Sequence, residues 1–220
     1  MTDRDHLAVI TGGTGSLGTA LAEALQVPGW TVSSPCRQDL DVRDEASIRR
    51  YFRGRKVDLL VCAAGIVRDA PVARLTEDAW NETWSVNFFG ATRCAEAVIP
   101  RMREAGGGHI VFISSFSALH PPVGQVAYAS AKAALLGLAA DLASRHGSAN
   151  IRVNAVLPGF LETRMTEAVA ETRRGEILGD HVLGRFNTCR QAAAFVHFLH
   201  HHLPDTSGQT FQLDSRPAFR

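Results

Sequence analysis

The chain has 220 residues, 45% hydrophobic and 20% charged, with a formal net charge of +1. That is enough material for one sizeable core and shows no composition break, so a single domain over 1–220 is expected. A near-neutral balance excludes the basic field that neutralising a nucleic-acid backbone requires. The polar start, Met1 to His6, is unlike a secretory leader, and the longest mostly apolar run, Ala133 to Ala143, is too short to span a bilayer. A soluble, cytoplasmic protein without a membrane partner is therefore the expectation. Cys36, Cys62, Cys94 and Cys189 are scattered without paired spacing, which points to free thiols rather than disulfides or a zinc site.

Leu7 to Ile10 is a short apolar run entering a glycine-rich turn, and Leu17 to Leu25 then has helical spacing. Trp30 to Val32 reads as a second strand, Asp44 to Arg53 as a capped helix, and Val57 to Ala63 as a buried strand. The alternation continues with a long helix over Asp78 to Met102, a strand over His109 to Ile113, a helix over Ala127 to Ser144, and a strand over Ile151 to Leu157. A helix near Cys189 to Leu199 and the run Thr210 to Leu213 close the pattern. Strands alternating with helices predict an α/β Rossmann fold: a doubly wound parallel sheet of about seven strands with helices on both faces, and ligands at the strand carboxyl ends.

The unusual residues fall at those ends. Gly13-x-Gly15-x-x-Gly18 follows a strand directly and opens a helix. Glycine lets backbone approach a pyrophosphate, and a helix amino end offers free N–H groups and partial positive charge to hold it. The plainer alternative is a tight turn without ligand. At the end of the second strand an acid binds the ribose 2′-hydroxyl of NAD, whereas an arginine accepts the 2′-phosphate of NADP. Here the stretch is Ser33-Ser34-Pro35-Cys36-Arg37, so NADP(H) is favoured over NAD(H), with Asp39 in a shifted register as the contrary indication. Further on, Tyr128 and Lys132 are four apart in a predicted helix and share one face, with Ser115 preceding them. A cation beside a phenol favours the phenolate, so the Tyr128 pKa is expected to be lowered toward neutral pH, where proton exchange with a substrate oxygen is efficient.

Taken in order, these residues resemble the short-chain dehydrogenase/reductase family over nearly the whole chain. The loop Thr11-Gly12-Gly13-Thr14-Gly15-Ser16-Leu17-Gly18 is similar to its cofactor loop, Asp41-Val42 to its adenine-contacting pair, and Ala63-Ala64-Gly65 to the end of its post-strand motif. Asn87, Ser115, Tyr128 and Lys132 are similar to its catalytic tetrad, and Pro158-Gly159-Phe160-Leu161-Glu162-Thr163 to the segment that closes over nicotinamide. The resemblance implies that Tyr128 protonates a carbonyl oxygen as hydride arrives, and that Ser115 donates a hydrogen bond to that oxygen. It also implies that Lys132 lowers the Tyr128 pKa and holds the nicotinamide ribose, that Asn87 positions a water linking Lys132 to solvent, and that Thr163 fixes the carboxamide. Three departures stand out: Ser16 where the family loop more often has glycine, Cys62-Ala63 where many relatives have two asparagines, and almost nothing between Arg37 and Asp41, where the family usually inserts a helix.

Within the family the chain looks most like 3-oxoacyl-acyl-carrier-protein reductases, which implies reduction of an acyl thioester carried on acyl carrier protein, in a homodimer or homotetramer. The pocket would be built from Phe116, Val123, Gln125, Phe160 and a glycine-bearing lid from Glu162 to Leu183. Arg101, Arg103, Arg145, Arg173 and Arg174 are either carrier contacts or an ordinary solvated surface. The competing readings are a reductase of a free small ketone or alcohol and a non-catalytic nucleotide-binding regulator. No metal is expected, because His197 and His200 to His202 lack a Cys or acid to complete a ligand set.

Overall fold

The structure, a computed structural model, describes residues 5–217. The strands are β1 His6–Thr11, β2 Trp30–Ser33, β3 Leu59–Cys62, β4 Gly108–Ile113, β5 Ile151–Leu157 and β6 Thr210–Gln212. The helices are α1 Ser16–Leu25, α2 Glu45–Phe52, α3 Glu77–Trp84, α4 Gly90–Glu104, α5 Val126–His146, α6 Glu171–Gly179 and α7 Cys189–His202. The strands form one sheet in the order β2-β1-β3-β4-β5-β6, with every pairing parallel.

The strands are near-continuous apolar runs because both faces of the sheet are covered. Val9, Leu60, Ile110, Phe112 and Ala155 belong to a core shared with α2, α4 and α5. Their chain neighbours Ala8, Ile10, Leu59, Val111 and Val156 belong to a second core with α1 and α7. This alternation of period two fixes the register, since a slip by one residue would exchange the two faces.

Six strands are described where about seven were expected from the doubly wound pattern. The stretch from Ser33 to Leu40 is shorter than the dozen or so residues a crossover and return strand need. Strand β2 therefore forms the sheet edge. Three local expectations also change. The helix predicted from Asp78 to Met102 is broken at Ser85–Phe89 by a π turn. Gly175 and Gly179, read as lid glycines, lie inside α6. The span 126–149 is long and apolar enough by length and composition to cross a membrane, contrary to the reading of its shorter run. It packs as a core helix, burying Ala131, Leu135, Ala139 and Leu142 against the sheet.

At the amino edge of the sheet, a buried polar network ties β4, β5 and α7 together. Arg152 donates to the carbonyls of Leu199, His200 and Leu203, closing the carboxyl end of α7. Asn154 accepts the Gln209 amide on its oxygen, so its Nδ2 faces the Thr206 carbonyl and His109 Nε2. His109 Nε2 must then be the bare nitrogen and Nδ1 the protonated one, donating to His200 Nδ1 at 3.2 Å. Burial holds both rings neutral. His109 sits well below the usual histidine range, and His200 is pushed down to about 3, with His201 and Arg152 adding repulsion.

Because these folded-state values lie below the unfolded one, stability is intact above about pH 6.5. It declines as pH falls, by at most about 1.4 kcal/mol per pH unit for each histidine. The urea midpoint at pH 5 is expected to be lower than at pH 7, with the difference narrowed by His200→Gln. Equal midpoints for the native chain would contradict the assignment.

Candidate functional site

The strand order reverses between β1 and β3, and the crevice at this switch point is where the loops after β1 and β3 part. Ala64 N–H donates to Thr11 Oγ1 at 3.2 Å, and Gly12, at φ +69°, packs against Ala64 so closely that a side chain would meet its Cα at 2.7 Å. Gly18 is equally constrained: a Cβ there would lie 2.4 Å from the Gly12 carbonyl oxygen. Helix α1 begins at Ser16 with Gly15 as its cap, no side-chain cap bond and no acid in its first turn. Its leading amides therefore keep their partial positive charge for a ligand, which suits a pyrophosphate. Thr14 and Ser16 are exposed at the mouth of the turn.

The turn is flanked by two clefts. One of about 390 Å³ lies between Ser16 and the segment carrying Glu162, Thr163, Arg164 and Arg174. A second of about 740 Å³ runs along the free edge of β2, past Ser33, Ser34, Gln38, Arg50 and Tyr51. Ser34 sits on Gly13, whose added Cβ would meet Ser34 Cβ at 2.4 Å, so a hydroxyl rather than a carboxylate occupies the strand end. Asp39 turns its carboxylate to the Cys36 amide and thiol. Arg37 is exposed and bonds Asp41 at 3.2 Å, and Arg43 takes both oxygens of the same carboxylate. Val42 is buried against Gly90. The deleted crossover thus leaves an arginine-rich, open side next to the turn.

Three of the four predicted catalytic residues meet at the ends of β3 and β4, and Asn87 joins them from the π turn. Lys132 is 4% exposed and donates to the Ile113 carbonyl at 2.8 Å, while Ser114 Oγ donates to the Lys132 carbonyl. Burial pulls the Lys132 ammonium down to about 8, with the Cys62 thiol partly opposing. Asn87 Nδ2 donates to the Thr83 and Ile66 carbonyls, both at 2.8 Å. By taking the Thr83 oxygen, which the backbone amide of residue 87 would claim in a regular helix, the side chain widens the ladder into the π turn. Asn87 Oδ1 is buried without a hydrogen-bond partner. Gly65 lies between this oxygen and Lys132: a Cβ at 65 would be 2.9 Å from Oδ1 and 3.6 Å from Nζ. Facing an ammonium across a glycine, the orphaned Asn87 Oδ1 is free to accept from a water or a ligand.

Tyr128 corrects one expectation. Its hydroxyl is held above the ordinary tyrosine range, first by desolvation and also by the negative charge of Asp69, with only the Ser115 hydrogen bond pulling it down. Lys132 Nζ lies 5.7 Å from the ring centre and spends a proton on Ile113 rather than on the phenol. Helical spacing placed the pair correctly; it could not show that desolvation outweighs the cation.

The segment after β5 carries Pro158, whose carbonyl accepts from Asn187, and Leu161, which is buried. Thr163 is tied into a turn by Thr166 Oγ1. Arg164, which the sequence reading passed over, donates to the Thr14 carbonyl at 3.1 Å and bridges this segment to the glycine turn. The tail contributes Asp214, packed on Gly159, and Arg216, paired with Asp214 and lying 3.4 Å over the Phe116 ring. The arginines considered for a carrier are largely engaged: Arg101 with Glu104, Arg145 with Asp141, Arg173 with Glu176 and Arg174 with Glu162. Among the described residues no cluster of three or more His, Cys, Asp or Glu is placed to hold a metal.

Residues 35–174 match the family model described as short chain dehydrogenase. The chain is 32% identical over 222 aligned residues to the 3-oxoacyl-[acyl-carrier-protein] reductase FabG of Salmonella typhimurium, covering 90% of this chain and 91% of that protein. It is 35% identical over 188 residues to the FabG of Thermotoga maritima, covering 84% and 75%. Among solved structures, a putative NAD(P)-dependent gluconate 5-dehydrogenase from Beutenbergia cavernae, with NADP bound at low occupancy, superposes with a TM-score of 0.87 at 25% identity, covering 96% of both chains.

Asn87→Ala would strip two buried carbonyls of their donor. It should lower stability by about 2 to 4 kcal/mol in chemical denaturation, whereas Thr14→Ala at the exposed turn should change it by less than about 0.5 kcal/mol. A neutral Asn87→Ala would show that the π turn does not depend on this amide.

Proposed function

This chain belongs to the short-chain dehydrogenase family, and from that premise we propose that it reduces the 3-oxo group of an acyl thioester with NADPH. It is a short-chain oxidoreductase with a Rossmann-type fold. The observation that carries the proposal is the convergence of Ser115, Tyr128, Lys132 and the orphaned oxygen of Asn87 beside the glycine turn.

When bound against the glycine turn, a reduced nicotinamide nucleotide supplies the hydride. The amides opening α1 and Arg164 would hold its pyrophosphate, and Leu161 and Thr163 would line the nicotinamide end. Tyr128, kept protonated by its dry surroundings, gives its proton to the carbonyl oxygen. Ser115 donates a hydrogen bond to the same oxygen while negative charge develops on it. Lys132, with a proton held to about pH 8, returns one to Tyr128 through a water at Asn87 and Gly65. The preference for NADPH is supported by Ser34 at the strand end and by the exposed Arg37 nearby.

The acyl-thioester reading is supported by the FabG relatives, with the acyl group carried on acyl carrier protein and the enzyme acting as a homodimer or homotetramer. A second reading, oxidoreduction of a free small ketone or alcohol, is favoured by the structural neighbour described as a putative gluconate 5-dehydrogenase.

Absorbance at the nicotinamide band, with an acetoacetyl thioester and a panel of small ketones, separates the two. Faster NADPH oxidation with the thioester is the expected result, with the rate falling as pH rises past about 8, where Lys132 loses its proton. Tyr128→Phe should reduce turnover at least roughly a hundredfold while retaining NADPH binding, and near-native turnover would remove Tyr128 as the acid. Ser34→Asp should weaken NADPH binding by about tenfold or more and spare NADH. Equal losses for both nucleotides would place the 2′-phosphate elsewhere.

A further inference from the structure

Outside the sheet, the loop after β3 meets the turn that precedes α5, and a chain of hydrogen bonds runs inward from this junction. Ala70 N–H donates to the Gly124 carbonyl at 2.9 Å, which seats Asp69 beside Gln125. Asp69 Oδ2 accepts from Gln125 Nε2 at 2.7 Å, and Gln125 Oε1 accepts from Ser117 Oγ at 2.9 Å. Ser117 N–H donates to Ser115 Oγ at 3.2 Å, and the Ser115 side chain lies close enough to the Tyr128 hydroxyl to favour its ionised form.

Every link in this chain has a forced direction. An ionised carboxylate only accepts, so the Gln125 amide must turn its NH₂ to Asp69 and its oxygen to Ser117. The Ser117 hydroxyl proton is thereby committed to Gln125. Ser115 Oγ takes the Ser117 amide proton on one lone pair, which leaves its own O–H directed away from that turn, toward Tyr128 and the space where a substrate oxygen sits. Without a fixed acceptor at position 69, the Gln125 amide has no reason to prefer one orientation over its flip.

We propose that Asp69 is a positioning residue for this enzyme: through Gln125 and the Ser117 side chain it holds the turn Phe116–Ala118, and with it the capping Ser115, in place beside Tyr128. The proposal rests on the reductase reading above. Asp69 acts a second time through its charge, which disfavours the phenolate of Tyr128. Lys132 lies on the same helix with its Nζ 5.7 Å from the Tyr128 ring, and His120 and Arg216 lie against Phe116, the residue after Ser115. Removing the Asp69 charge therefore lets Tyr128 ionise at lower pH. Asp69 is exposed, so solvent screens its charge and keeps the change small.

The chain has two tyrosines, Tyr51 and Tyr128, so phenolate absorbance resolves them, and Tyr128→Phe identifies the Tyr128 step. Asp69→Asn keeps an acceptor for Gln125 but removes the charge, whereas Gln125→Ala and Ser117→Ala cut the chain. Asp69→Asn is expected to move the Tyr128 step to lower pH, with KM for NADPH and the fall in kcat near pH 8 set by Lys132 unchanged. Each cutting variant is expected to lower kcat roughly tenfold with little change in KM. A Tyr128 step unmoved in Asp69→Asn, or native kcat in both cutting variants, overturns the proposal. A native protein that binds NADPH yet reduces no carbonyl overturns the reductase reading instead, and the phenolate titration then still decides whether Asp69 reaches Tyr128.

Discussion

The site is organised around one buried ammonium. Lys132 projects from α5 to the carboxyl edge of the sheet, where the Ile113 carbonyl accepts its proton and burial lowers its pKa to about 8. A charge in such a place is tolerated only when its surroundings compensate for lost water. That requirement accounts for several neighbours at once. Position 65 has no room for a Cβ beside Nζ and the Asn87 oxygen. The Asn87 amide is pinned by two carbonyls so that its oxygen faces the same space. Ser114 ties the Lys132 backbone to the end of β4.

The parallel sheet makes this convergence possible. Its order brings the ends of β1, β3, β4 and β5 side by side, so residues far apart in sequence share one rim. The helix amino end offered to a nucleotide belongs to α1, directly after β1, and the proton-handling groups belong to the ends of β3 and β4 and to α5. The short connection after β2 leaves the edge of that strand open. There it exposes the arginines Arg37 and Arg50.

Proton chemistry in this site is governed by dryness more than by paired charge. Tyr128 and Lys132 are both shifted toward their neutral forms by burial, the phenol upward and the ammonium downward. These opposite shifts move the two apart in proton affinity, so the phenol holds its proton more tightly than the ammonium, and a phenolate left after proton transfer is readily reprotonated from Lys132. A lysine pairing directly with the phenol would instead have stabilised the phenolate, the form that accepts a proton rather than gives one.

The residues proposed to carry the chemistry can be picked out in the sequence because each depends on local spacing: Gly13, Gly15 and Gly18 on one turn, and Tyr128 and Lys132 on one helix face, beside the apolar runs that form the buried strands. The helix expected through Asn87 is interrupted at its centre, where the Asn87 amide takes the Thr83 carbonyl and is held there by a second bond to Ile66 in another loop. The lid glycines were misjudged because α6 absorbs two of them. Asp69 left no local signature, since its partner Gln125 lies 56 residues away and only the folded chain makes the contact. The sign of the Tyr128 shift likewise belongs to the tertiary structure. Spacing along a helix is a property of the chain, whereas desolvation is a property of everything packed around it, and no pattern of residue types states how much water a fold excludes.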